Sequence, residues 1–256
     1  MEPTKQWALV TGASSGIGLE LARLLAADGY HLVLLARNGA ALQQLADEVH
    51  SRHGVTVRVL IRDLADPASL PEIFEALRDI PISVLVNNAG FGLYGPFAQG
   101  DLRAQADMMQ VNMTSLVALT HRFLQPMLAR RHGRILNVAS TAAFQPGPTV
   151  SVYYASKAFV HSFSYALSAE LEGTGVTVTT LCPGATRTEF FTRARLPVAH
   201  GLVMMDARTV AEIGYRGLMR GQRVVIAGSF NRILAFLSKH SPIRLTSAIA
   251  RRVHAD

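Results

Sequence analysis

With 256 residues, 49% of them hydrophobic, the chain has enough apolar mass for one large α/β domain. A single cysteine, Cys182, excludes an internal disulfide, the nine histidines show no zinc-type clustering, and no apolar run approaches the length of a membrane-spanning helix. The formal charge of +7 does not indicate nucleic acid, because residues 1–186 carry 13 basic and 14 acidic side chains while residues 187–256 carry 12 and 4, and the arginines are dispersed rather than gathered in a basic tract.

The apolar residues 7–10 begin almost at once and leave no room for a signal peptide, so a soluble cytoplasmic protein without a metal is expected. Short apolar runs at 8–10, 31–35, 55–61, 84–86, 135–138, 176–181 and 224–226 alternate with helical stretches. Continuous apolar strands separated by helices predict a mainly parallel sheet of about seven strands, doubly wound, with helices on both faces and right-handed crossovers. One long helix is expected to end near Arg130. Gly133, Gly175 and Gly221 each precede a strand where a helix ends, and positive φ is expected there.

The first strand runs into Thr11-Gly12-Ala13-Ser14-Ser15-Gly16-Ile17-Gly18 and then a helix. Glycines at this spacing let the backbone approach a pyrophosphate, and the helix N-terminus supplies free N–H groups. Gly12, Ser14, Ser15, Gly16, Ile17 and Gly18 are therefore candidate dinucleotide contacts. An acidic residue at the end of the second strand would favour NAD; Ala36 and Arg37 stand there instead. Arg37 can pair with a 2′-phosphate, which selects NADP(H) over NAD(H).

Farther along, Tyr153 and Lys157 are four residues apart and share one face of a helix. A cation beside a tyrosine stabilises the phenolate, so Lys157 is expected to lower the Tyr153 pKa and enable acid chemistry. Tyr154 lacks such a partner, because the residue four beyond it is Ala158.

Taken together, these motifs resemble the short-chain dehydrogenase/reductase family over nearly the whole chain. TGASSGIG at 11–18 looks like its cofactor turn, Asp63-Leu64 like its adenine contact, and Asn87-Asn88-Ala89-Gly90 like the turn after its fourth strand. Asn112, Ser140, Tyr153 and Lys157 fall on its catalytic tetrad, and Pro183-Gly184-Ala185-Thr186-Arg187-Thr188 looks like its nicotinamide-end segment. The resemblance implies that Tyr153 is the general acid or base and that Ser140 donates to the substrate oxygen. It also implies that Lys157 tunes Tyr153 and binds the nicotinamide ribose, and that Asn112 holds a water on the proton route. Pro183, Gly184, Thr186 and Thr188 would flank the nicotinamide. The family's other basic position for NADP is occupied by Ser15, so cofactor choice rests on Arg37.

Loops at the strand carboxyl ends carry Phe91, Leu93, Tyr94 and Phe97, then Phe144, then Phe190, Phe191, Leu196, Pro197, Val198, Leu202 and Val203. They predict an apolar pocket for a hydrophobic ketone, aldehyde or secondary alcohol. A 3-oxoacyl-thioester reductase is the alternative, and a non-catalytic NADP(H)-binding regulator is an alternative of another class. Domain limits are set at 1–228, with a substrate lid at about 187–206, and at 229–256 for a basic amphipathic extension. In that extension Phe230, Ile233, Leu234 and Leu237 form an i, i+3, i+4, i+7 stripe. The stripe is expected to pack on its own domain or on a second subunit of a homo-oligomer, with an anionic membrane or an acidic carrier protein as the alternatives.

Overall fold

Seven of the apolar runs form strands because helices cover both of their faces. In a computed structural model, which describes residues 6–194, 196 and 204–253, the first half contains β1 (Trp7–Thr11), α1 (Gly16–Ala27), β2 (His31–Ala36), α2 (Gly39–His53), β3 (Val57–Ile61), α3 (Ser69–Ala76) and β4 (Ile82–Asn87). The chain continues through α4 (Leu102–Met109), α5 (Leu116–Ala129), β5 (Gly133–Val138), α6 (Ser151–Glu170) and β6 (Val176–Cys182). It closes with β7 (Thr186–Arg187), α7 (Phe190–Ala194), β8 (Met205–Asp206), α8 (Ala207–Met219), β9 (Val224–Ile226), α9 (Ser229–His240) and α10 (Ile243–Val253).

The main sheet has the order β3-β2-β1-β4-β5-β6-β9 and every pairing in it is parallel. This is the doubly wound, Rossmann-type single domain expected from the sequence. Alternate residues of each strand feed opposite layers. Val10 packs with Leu21, Leu25 and Leu218 on one face, and Leu9 packs with Phe123, Met127 and Ile135 on the other. Each fully buried leucine contributes about 1.5–3 kcal/mol. Strand order reverses between β1 and β4, so their carboxyl ends open the crevice where such sheets bind ligands.

Three details differ from the sequence reading. The long helix before β5 is interrupted: α4 passes into a π-helical turn, Gln110–Ser115, before α5 begins. A single widened turn leaves helical stretches on both sides of it, so the sequence pattern does not mark it. Gly175 and Gly221 do take positive φ, but before β5 the left-handed residue is Arg131, at φ 51°. Gly133 instead opens β5 and is needed for space, since a Cβ there would lie 2.5 Å from the Met127 sulfur.

The third difference is in the tail. Phe230, Ile233, Leu234 and Leu237 do not pack on their own domain; they face outward, and the small residues Ala235, Thr246 and Ala250 are the ones buried. The inward positions are thus taken by small side chains, and the larger apolar groups are left on the surface.

Candidate active site

At the carboxyl end of β1, Thr11 organises the glycine turn. Its hydroxyl donates to the Val86 carbonyl at 3.2 Å and accepts the Asn88 and Ala89 N–H groups at 2.9 and 3.0 Å. The Asn88 amide donates back to the Thr11 and Gly12 carbonyls at 3.0 and 3.2 Å. Gly12 and Gly16 take φ +65° and +58°, and a Cβ on Gly18 would lie 2.4 Å from the Gly12 carbonyl oxygen and 2.3 Å from the Asn88 amide nitrogen. The turn is thus closed by backbone contact, with no room for a side chain. Ser15 caps α1 without a side-chain hydrogen bond, so Ser14, Ser15, Ile17 and Gly18 border a helix N-terminus whose N–H groups await an acceptor. Across from it, the Thr188 methyl would lie 2.9 Å from a Cβ on Gly16, which brings the Pro183–Thr188 segment to the same crevice. The donor set and the glycine cradle fit a dinucleotide pyrophosphate.

Arg37 lies at the end of β2, exposed, with its guanidinium 3.5 Å from the Asp63 carboxylate. Residues 36 and 37, at the end of the second strand, carry no carboxylate. Pairing of β2 with β3, in which Ala36 sits opposite Ile61, carries Asp63 there across a gap of many residues. The Asp63 carboxylate also accepts the Ala65 N–H at 2.9 Å. Leu64 is buried and its carbonyl accepts the Ser115 hydroxyl at 2.8 Å. Asn87 turns inward, donating to Thr120 and Asn137 at 3.0 and 2.9 Å, so its side chain joins the core rather than the cradle. Ala89 and Gly90 follow it along the crevice floor.

Ser140 lies just beyond β5 in extended conformation, where its oxygen accepts the Ala142 N–H at 3.1 Å. Its hydroxyl donates to the Pro183 carbonyl at 3.5 Å, and its side chain lies near enough to Tyr153 to act on the phenol. On α6 the Lys157 ammonium sits 5.8 Å from the centre of the Tyr153 ring and donates to the Val138 carbonyl at 2.8 Å. The two side chains share a face, as their spacing requires. The expected lowering of the tyrosine is not found: burial pushes the Tyr153 phenol well above its ordinary value, and Ser140 opposes this only in part. The lysine is affected in turn, as burial pulls Lys157 down to about 8. In both groups the loss of hydration is the largest cause.

Asn112 sits inside the π-helical turn and is buried. Its amide oxygen accepts the Phe91 N–H at 3.1 Å, and its nitrogen donates to the Phe91 carbonyl and the Ser156 hydroxyl, both at 3.0 Å. A Cβ on Gly90 would lie 3.0 Å from the Asn112 oxygen and 3.3 Å from the Lys157 nitrogen, so both polar ends line the same spot. Pro183 accepts the Thr141 N–H at 2.8 Å, and Thr186 bonds the Gly184 carbonyl at 2.9 Å.

On the substrate side, the Phe190 ring lies 5.2 Å from the Tyr153 ring, and Gly92 keeps its place beside both only because it has no side chain. Phe91 and Phe144 pack into core clusters instead. Pro197, Val198, Leu202 and Val203 of the expected lid lie outside the described residues. Sequence reasoning missed Thr11 and Ser156, whose hydroxyls act through contacts remote in the chain, and Gln145, which accepts the Ser238 hydroxyl of α9 at 3.0 Å.

The same constellation is matched over most of the chain by known proteins. A sequence model described as short chain dehydrogenase matches residues 6–198. The chain belongs to that family. Among its relatives are 17-beta-hydroxysteroid dehydrogenase type 3 of Mus musculus, 38% identical over 70% of this chain and 59% of that protein, and very-long-chain 3-oxoacyl-CoA reductase of Phaeosphaeria nodorum, 36% identical over 69% and 53%. The chain thus spans little more than half the length of these curated relatives. A short-chain dehydrogenase from Sphingobium yanoikuyae, solved in complex with NADPH, superposes with a TM-score of 0.82 at 33% identity over 90% of this chain and 92% of that one.

Proposed function

We propose that this short chain dehydrogenase is an NADPH-dependent carbonyl reductase, or the matching alcohol dehydrogenase, acting on a hydrophobic ketone, aldehyde or secondary alcohol. The observation that carries this is the Tyr153–Lys157 pair on one face of α6, with the lysine nitrogen 5.8 Å from the centre of the phenol ring and beside the Asn112 amide at Gly90. When bound, the nicotinamide supplies or accepts the hydride. The chain itself manages the oxygen and the proton. Ser140 donates a hydrogen bond to the substrate oxygen and stabilises its developing charge. Tyr153 gives that oxygen its proton in reduction and takes it back in oxidation. A phenol kept protonated by burial suits the donor role. Lys157 and Asn112, which line Gly90 together, form the route by which the Tyr153 proton is replaced.

NADP(H) is favoured by Arg37, whose exposed pair with Asp63 is weak enough to yield to a phosphate, and by the NADPH complex of the Sphingobium relative. A hydrophobic substrate is favoured by Phe190 over Tyr153 and by the hydroxysteroid relative. Reduction of 3-oxoacyl thioesters is the second reading, supported by the Phaeosphaeria relative. A homo-oligomer located in the cytoplasm completes the reading. The apolar groove of Phe74, Met113, Val117 and Phe159, beside α5 and α6, is the surface a second copy would cover.

NADPH consumption measured against a panel of hydrophobic ketones, small hydrophilic carbonyls and a 3-oxoacyl thioester tests the whole reading. Turnover of the bulky ketones is expected. Turnover confined to small hydrophilic carbonyls overturns the substrate class, and NADPH binding without turnover of any panel member favours a regulator.

A further inference from the structure

We infer that α9 and α10 form a docking surface for an anionic lipid bilayer, on which the protein sits peripherally. The two helices are built in reverse of an ordinary surface helix. Their inward residues are small, with Ala235 at 5% and Ala250 at 2% exposure, while Phe230 at 63% and Leu237 at 52% face out. Ile233, Leu234, Leu245 and Ile249 extend the same apolar surface. More than half of the large apolar side chains exposed among the described residues fall within α9 and α10. An apolar surface of this extent marks an interaction site.

Charge selects the partner. Residues 229–253 contain Arg232, Lys239, Arg244, Arg251 and Arg252 and neither an aspartate nor a glutamate. A two-fold contact with a second copy would place this uniformly basic surface against itself, with no acidic group in the segment to neutralise it. A bilayer with anionic headgroups supplies the counter-charge to the arginines and an acyl boundary for the apolar side chains together. An acidic protein surface would meet the charges but leave Phe230 and Phe236 against hydrated carboxylates. No helix among the described residues is long and apolar enough to cross a membrane, so the contact lies in the interface plane. Through the Ser238–Gln145 hydrogen bond, α9 abuts the loop that follows Ser140, so a docked bilayer lies beside the candidate site. Docking itself does not depend on the reaction proposed above.

The test is co-sedimentation of the full chain with vesicles of phosphatidylcholine alone and of phosphatidylcholine mixed with phosphatidylglycerol, at low and high salt. Binding is expected only to the mixed vesicles, weaker at high salt. Arg244→Gln with Arg251→Gln, both exposed, should weaken it roughly twentyfold, and Leu234→Glu with Leu237→Glu should abolish it while NADPH binding persists. Absence of binding to the mixed vesicles at low salt overturns the inference, as does undiminished binding by the arginine variant. If vesicles are not bound and Leu234→Glu with Leu237→Glu converts a dimer to a monomer in sedimentation velocity, the face is a self-contact. Binding to a purified acyl carrier protein but to no vesicle assigns it to an acidic protein and equally overturns the bilayer.

Discussion

Asn112 donates to the Ser156 hydroxyl at 3.0 Å, and Ser156 in turn donates to the Tyr153 carbonyl at 2.7 Å. The π-helical turn is thereby tied to the helix that carries the candidate acid, while the same nitrogen and the amide oxygen of Asn112 hold the Phe91 carbonyl and N–H. Asn112→Ala should strip the Phe91 N–H and carbonyl of their partner and remove one of the two Ser156 bonds, costing about 3 kcal/mol, read from urea unfolding. Ser156→Ala keeps both Phe91 bonds and should cost about 1 kcal/mol. Equal costs would mean that Asn112 acts through Ser156 alone.

Adjacent tyrosines on α6 provide an internal control. Tyr153 lies beside Ser140 and Lys157, whereas Tyr154 lies beside Gln145. Tyr153→Phe should lower kcat by about 100-fold to 10,000-fold with NADPH affinity unchanged. Tyr154→Phe should keep kcat within a few-fold. Steady-state kinetics with a ketone that the wild-type protein turns over, and NADPH titration of each variant, check both.

Much of the site was legible in the sequence because its parts are local. The glycine turn, the Tyr153–Lys157 spacing and the strand-end positions of Ser140 and Asn88 are each set by a few neighbouring residues, and the seven strands showed as short, mainly apolar runs. What remained hidden depends on pairing across the chain. Asp63 reaches Arg37 only through the β2–β3 register. The Lys157 ammonium turns to Val138 on β5, and its charge is opposed by a burial that no spacing reveals. The tail stripe was visible as a stripe, but which side of the helix faces the domain is decided by the small residues Ala235 and Ala250.

The Lys157 shift has a definite sign. Burial lowers its folded-state pKa from 10.5 to about 8, so below about 8 the ammonium is charged in both states and the cost of burying it is fully present. As pH rises from about 8 towards 10.5 the unfolded chain holds the extra proton and the folded chain does not, so this group makes stability rise with pH. The unfolding free energy of the wild-type protein minus that of Lys157→Met should therefore climb across that window and be flat below it. A flat difference throughout would place Lys157 in water.

Selection of the dinucleotide rests on an exposed ion pair at 3.5 Å. Arg37→Ala should weaken NADPH binding about tenfold or more and leave NADH binding nearly unchanged. Asp63→Asn removes the carboxylate that competes for the guanidinium, and it should tighten NADPH binding or leave it unchanged. Fluorescence titration with both dinucleotides separates these outcomes. Equal losses for NADPH and NADH in Arg37→Ala would show that the arginine only supports the loop.

Gly18 provides the most severe test of the cradle. A methyl group there would lie 2.4 Å from the Gly12 carbonyl oxygen and 2.3 Å from the Asn88 amide nitrogen, closer than any real Cβ contact. Backbone cannot yield as the end of a flexible side chain does, so Gly18→Ala must push α1 away from the turn or break the Asn88 bonds to Thr11 and Gly12. Either movement displaces the helix N-terminus from where a pyrophosphate would rest. NADPH binding should fall by more than tenfold, and overpacking should lower stability by about 1–3 kcal/mol. Gly29→Ala is the contrasting control: no atom lies within 4 Å of its Cβ position, and only the strain of φ +82° opposes it. It should lower the thermal midpoint without weakening NADPH binding, so a loss of binding confined to Gly18→Ala locates the effect in the cradle.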